Sequence, residues 1–233
     1  MSGRVHGQID RVGPKPAAID SQELAYRYIK DRILDQRFST RKKLRTQELA
    51  EAISLSRTPV REALGRLAQE GLVVREDGWG FTVRSMTFQE VLDLFSVREL
   101  LEIEAAKKAV PNCSEGDIIR LSAMLEKSRV ALEKGKSIES IRLARIFHTA
   151  LAELAGNRLL LDMLKGINER IHMVGLTILR QYPERPLRVL EENHRILSAL
   201  RARDSNALEL ALREHIARSR ELIVNGRWEQ QVT

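Results

Sequence analysis

The chain has 233 residues, room for two domains, and a formal net charge of +7 that favours a polyanionic partner. Its single cysteine, Cys113, excludes an internal disulfide and a multi-cysteine zinc site. No apolar run approaches the ~18 residues of a membrane span, and no apolar leader opens the sequence, so a cytoplasmic protein with no membrane partner is expected. Aromatic residues make up only 4%, which leaves Leu, Ile, Val and Ala to build the cores, as in helix-rich proteins.

Residues 1–19 carry Gly, Pro and scattered charge without periodicity and read as a flexible arm. Arg4, Arg11 and Lys15 there offer loose phosphate contact, although a solvated tail is the simpler reading. Asp20, with Glu23 as a capping box, opens a helix whose inner stripe is Leu24, Tyr28, Ile29, Ile33 and Leu34. The run Arg37–Arg45 then places five cations and no acid in nine residues, a basic loop. Thr46 caps a short helix with Leu49, Ala50 and Ile53 inward. After the turn Ser54-Leu55-Ser56, Thr58 is the expected N-cap of a second short helix, with Pro59 at its first position. Val60, Ala63, Leu64 and Leu67 form its buried face, and Arg57, Thr58, Arg61 and Arg66 fall off that face. Gly71 supplies a left-handed C-cap. Leu72–Arg75, the Asp77-Gly78-Trp79-Gly80 turn and Phe81–Arg84 read as a β-hairpin. Two helices joined by a tight turn and followed by a hairpin make a winged helix-turn-helix over residues 20–84.

Beyond Arg84 the pattern is helical. Thr87 and Glu90 cap a helix carrying Val91, Leu94, Val97, Leu101 and Ala105, which Pro111 ends. Further helices run from Ser114 to Gly135, Ser137 to Ala155, Asn157 to Tyr182, Leu187 to Arg201, and Asp204 or Ser205 to Asn225. The expected fold is mainly α: the winged helix-turn-helix, then an antiparallel bundle of six or seven helices over residues 85–226, and a tail at 227–233.

The run Ser56-Arg57-Thr58-Pro59-Val60-Arg61-Glu62-Ala63-Leu64, continued by Leu67, Glu70-Gly71-Leu72 and Gly80, resembles the DNA-binding domain of GntR-family transcriptional regulators. One departure is that Gln36 through Lys43 lack the Gly and Pro-Gly usual in that loop of the family. Phe147-His148, Gly156-Asn157-Arg158, Asn193-His194-Arg195 and Glu214-His215, with Val97-Arg98 and Glu102, resemble the FadR-type C-terminal ligand-binding (FCD) domain over residues 88–224. The resemblance implies a homodimeric regulator, most often a repressor, on palindromic operator DNA and released by a small carboxylate.

Arginine reads guanine bidentately, so Arg57 and Arg61 are the candidates for base or phosphate contact, with Ser56 and Thr58 as phosphate ligands. Arg45, Thr46 and Gln47 at the start of the supporting helix, and Gly80 in the wing, complete the expected DNA face. Pairing of these arginines with Glu62 or Glu70 is the competing reading.

His148 shares a face with Ala144, Leu151 and Ala155. His194 falls on Leu187, Leu190 and Leu197, and His215 on Leu208, Leu212 and Leu222. A lone His on such a stripe is ordinarily a hydrogen-bonded core residue, and His172 is read so. The resemblance implies that His148, His194 and His215 are metal ligands, with the family's acidic ligand replaced by Ala144. Three imidazoles with water would take Zn or Ni. Alternatively, the three imidazoles and Arg98 meet the effector directly. Arg98 is a candidate carboxylate clamp or an i,i+4 partner of Glu102. Cys113 is read as an unpaired thiol without a role. Two other functions compete: a three-His metal hydrolase, which lacks a placed general base near His148, and a nucleoid protein binding DNA by charge alone.

Overall fold

Asp20 accepts a hydrogen bond from the Gln22 amide at 3.2 Å and starts α1 (Ser21–Leu34). This computed structural model describes residues 20–76 and 80–226. The expected arm, the Asp77-Gly78-Trp79 turn and the tail from 227 lie outside the described residues. Glu23 does not complete the expected capping box. Its carboxylate is drawn instead to Arg27 at 2.7 Å and Arg66 at 3.0 Å, a stronger charge-assisted pairing.

The basic run is not all loop. Lys43–Leu44 forms β1, because buried Leu44 alternates with exposed Lys43 and pairs with Phe81. Before it, Gln36 (φ 53) and Arg41 (φ 62) hold left-handed turns that glycine would adopt without strain. The loop thus keeps glycine-like geometry at residues carrying a Cβ.

Helix α2 spans Thr46–Ala52 and α3 spans Arg57–Gln69. Thr46 is the first residue of α2, with Arg45 at the cap position and no side-chain cap bond. The cap position of α3 falls to extended Ser56, so Thr58 and Pro59 both sit inside the first turn. Proline is tolerated there because the first amides of a helix have no intrahelical acceptor. Thr58 therefore keeps its hydroxyl for another partner. At the other end Gly71 (φ 73) donates to Ala68 O and Leu72 donates to Leu67 O, each at 3.0 Å, the paired bonds of a Schellman cap. Strands β2 (Val73–Glu76) and β3 (Gly80–Val83) follow, giving an antiparallel sheet ordered β1-β3-β2.

Helices α4 (Phe88–Asn112), α5 (Glu115–Glu133), α6 (Ser137–Glu153), α7 (Arg158–Gln181), α8 (Arg185–Arg201) and α9 (Ser205–Asn225) form the bundle among the described residues. The Thr87–Glu90 capping box forms as expected, and Asn157 and Asp204 cap α7 and α9. Pro111 lies inside the last turn of α4 rather than ending it, and α8 begins earlier than expected, with Pro186 in its first turn. No described helix is long and apolar enough to cross a membrane.

The two parts share a core. Ile29, Ile33, Val60, Leu64 and Leu67 of the winged helix pack in one apolar cluster with Met173, Val174 and Ile178 of α7 and Ile216 and Ile223 of α9. The bundle therefore reaches α3 through packed side chains rather than through a linker alone.

Candidate functional site

Four of the residues expected to meet DNA sit at the start of α3. Ser56, Arg57, Thr58 and Arg61 are exposed around the first turns of α3, where free amides and the helix dipole favour an anion. Among the described residues, Arg57 and Arg61 make no ion pair, so their guanidiniums are available. Of the competing acids, Glu70 binds Tyr26, Lys30 and Arg66, with the Lys30 Nζ–Glu70 Oε2 distance 3.0 Å. Arg45 is exposed and pairs with Glu48 at 3.1 Å, Gln47 bonds Glu51, and Thr46 is half-buried. Gly80 (φ 89) is exposed at the wing, in a conformation that L side chains rarely adopt.

The bundle holds a second site, a half-open pocket with a cavity volume of about 90 Å³ between α4, α6, α7, α8 and α9. One wall is a chain of buried charges. Arg98 Nε donates to Glu102 Oε1 at 2.6 Å, so the i,i+4 pair forms, and His148 Nδ1 lies 2.8 Å from Glu102 Oε2. His148 stacks on His215 at 4.8 Å between ring centroids. His215 Nδ1 lies 2.7 Å from Glu192 Oε2, and Arg185 donates twice to Glu192, at 2.7 and 2.8 Å.

Burial works to raise the Glu102 carboxyl, but the Arg98 guanidinium and His148 overcome it and hold it well below the usual range. Burial opposes ionisation of Glu192 too, yet His215 and Arg185 bring it down to about 2. Burial pushes His215 down to about 4, against the pull of Glu192, so the ring is neutral near pH 7. Its Nδ1–H then donates to Glu192, and its Nε2 accepts from Arg98 Nη2 at 3.3 Å.

His194 does not join this wall. It is exposed on the outer face of α8, and Asn193, 1% exposed, points inward with Oδ1 3.2 Å from His148 Nε2. The stripe used to place His194 was anchored on Leu187, which is 54% exposed. The inner face runs through Leu190, Asn193, Ile196, Leu197 and Leu200, one residue out of step with that reading. The three-His metal set is therefore not assembled. Ala144 and Asn193 replace two donors, each remaining imidazole is bound through Nδ1 to a glutamate, and a guanidinium faces His215 Nε2. A divalent cation does not fit this donor set. No group of three or more His, Cys, Asp or Glu able to hold a metal occurs among the described residues.

Sequence reasoning missed several residues of the site. Arg185 and Glu192 lie two turns apart on one face of α8, a spacing that was legible. Arg145, Asn168 and His172 carried no local signal. His172 is 2% exposed and lines the pocket; among the described residues its ring has no side-chain hydrogen-bond partner and is drawn only to the Leu34 backbone. Burial, reinforced by the Arg145 charge, pushes it down to about 4.

Comparison with known proteins gives matches at both ends of the described chain. The family described as "Bacterial regulatory proteins, gntR family" matches residues 21–83, and the "FCD domain" family matches residues 93–218. The transcriptional regulator McbR of Escherichia coli (strain K12) is 31% identical over 180 residues, which cover 74% of this chain and 78% of McbR. The transcriptional repressor RspR of the same organism is 27% identical over 173 residues, or 74% of this chain and 75% of RspR. The solved structure of E. coli McbR/YncC superposes with a TM-score of 0.79 at 26% identity, covering 89% of this chain and 98% of that one.

Proposed function

From the premise that the chain belongs to the gntR family of bacterial regulatory proteins and carries an FCD domain, we propose that it is a cytoplasmic repressor released from operator DNA by a small carboxylate. It is a helix-turn-helix transcriptional regulator and not an enzyme. The observation that carries the DNA reading is the pair of exposed arginines, Arg57 and Arg61, which make no ion pair among the described residues and lie beside the free amides at the start of α3. One such helix contacts too few base pairs to find a site in a genome, so a homodimer on a palindrome is the working form. Exposed Val97 and Leu100 on α4, with Leu159 and Met163 on α7, supply apolar surface for a second copy.

The pocket is the sensor, and it works without metal. Arg98, His148 and His215 line one wall as fixed polar groups. Helix α7 links the pocket to the DNA-binding domain. Asn168, Ile171 and His172 line the pocket. The residues between them point the other way: Glu169 pairs with Lys30 Nζ at 2.7 Å, and Arg170 donates to Glu70 O at 2.9 and 3.3 Å. An occupant that prefers one placement of α7 thus biases the C-terminal end of α3, by as much as its affinity differs between the two placements.

Arg61→Ala tests the DNA reading. It should cost ~1–3 kcal/mol on a selected duplex and relax preference at one position per half-site. Equal weakening on selected and random DNA would reduce Arg61 to a phosphate contact.

A further inference from the structure

Buried side-chain polar atoms in a folded chain are nearly always bonded. Among the described residues the exceptions are Arg145 Nε and Asn168 Nδ2, and the His172 ring has no side-chain partner. All three residues line the same pocket. They come from two neighbouring helices, α6 and α7, and Asn168 and His172 are one turn apart on α7. Arg145 Nε and Asn168 Nδ2, unmatched side by side with a His172 ring that has only the Leu34 backbone near it, make a site, where scattered atoms would be defects of packing.

The charges of the pocket separate its two walls. Arg98 is neutralised by Glu102, and Arg185 by Glu192. Arg145 has no carboxylate in salt-bridge contact among the described residues. Of the two acids that attract it, Glu169 is committed to Lys30 at 2.7 Å, and Asp31 lies on α1 and does not line the pocket. Arg145 is thus the cation of this pocket whose charge is not matched within it. Beside it Asn168 offers amide hydrogens, and neutral His172 offers one donor and one acceptor. Ile141, Ile171, Ile178 and Val189 line the rest with hydrocarbon.

We propose that Arg145, Asn168 and His172 form an anion-anchoring subsite on the α6–α7 wall, which takes the carboxylate of a short-chain organic acid and leaves its carbon chain against the isoleucines. This rests on the reading that the pocket takes a small carboxylate, and it relocates the anchor from Arg98 to Arg145. A carboxylate here accepts from Arg145 Nε–H and the Asn168 amide. Its ligands on α7 are then sequence neighbours of Glu169 and Arg170, which hold the DNA-binding domain.

The test is a thermal-shift titration of the full chain with acetate, propionate, butyrate, hexanoate and their 2-hydroxy acids. The wild type is compared with Arg145→Gln, Asn168→Asp and, as a control, Arg158→Gln, an exposed arginine paired with Asp162 on α7. At least one acid should raise the wild-type Tm. Arg145→Gln and Asn168→Asp should weaken that acid about tenfold or more, the loss of a charge-assisted bond or the arrival of a like charge, and Arg158→Gln should retain it. Undiminished binding in both pocket variants would overturn the subsite and leave a carboxylate sensor standing. No shift of the wild type with any acid would overturn the carboxylate reading itself, and the subsite with it. Should Arg145→Gln fail to fold, the isosteric Asn168→Asp decides. A wild-type readout needs no variant: the Arg145 Nε–H and Asn168 amide resonances should move on titration, and saturable binding that leaves both unmoved would overturn the subsite.

Discussion

Arg170→Ala cuts the polar link between α7 and the recognition helix. The guanidinium makes two bonds to the carbonyl of Glu70, the C-cap residue of α3, at 2.9 and 3.3 Å. A bond from a charged donor contributes about 1.5–3 kcal/mol when buried. Here both bonds share one acceptor and the side chain is half-exposed, so ~1–2 kcal/mol is the expected loss for the pair. The apolar contact of Met173, Val174 and Ile178 with the winged helix is untouched, so the domains stay docked. The loss should appear as local opening of the Gly71–Leu72 cap. Hydrogen exchange at the Gly71 and Leu72 amides, which bond Ala68 O and Leu67 O, should accelerate by about 5–30-fold, with only a small fall in Tm. Unchanged exchange at those two amides would refute the claim that Arg170 holds this end of α3.

Other expectations follow from the same contacts. His172 titrates near 6.5 when unfolded and at about 4 when folded, so between those values the unfolded chain binds more protons. Stability should fall as pH drops from ~6.5 to ~4, by roughly 3 kcal/mol from this residue, and His172→Leu should flatten that part of the profile; superimposable profiles would contradict it. Gln36→Gly relieves a left-handed residue at φ 53 and should stabilise by ~0.5–1 kcal/mol in urea unfolding. Any Tm shift produced by a carboxylate should survive exhaustive chelation, because the imidazoles are already engaged by Glu102 and Glu192; its loss with chelator and return with Zn would restore a metal role.

The exposed start of α3 was legible because short capped helices carry local signals. Arg57, Arg61 and the Gly71 cap follow from spacing and turn chemistry, and the error at the start of α3 is a shift from Thr58 to Ser56 that leaves the exposed side chains the same. Where two favourable bonds compete, local rules failed: Glu23 could cap α1 or pair with Arg27 and Arg66, and only the fold places Arg66 within reach. The site in the bundle was harder because it is made of meetings between helices. His148 and His215 were placed correctly by their stripes. His194 was not, since an exposed Leu187 passes for core in a helical pattern and one residue of rotation exchanges His194 for Asn193. Arg145 and Asn168 have no sequence signature at all; their meaning lies in Arg145 Nε and Asn168 Nδ2 being buried without a partner among the described residues.

Selection of bound duplexes from random DNA by the full chain tests the central claim most directly, that this is a dimeric, sequence-specific DNA reader. The account predicts enrichment of a dyad-symmetric sequence with half-sites about one helical turn apart, bound roughly a thousandfold or more tighter than random DNA at physiological salt. Failure to enrich any sequence, with binding that depends on salt alone, would contradict it.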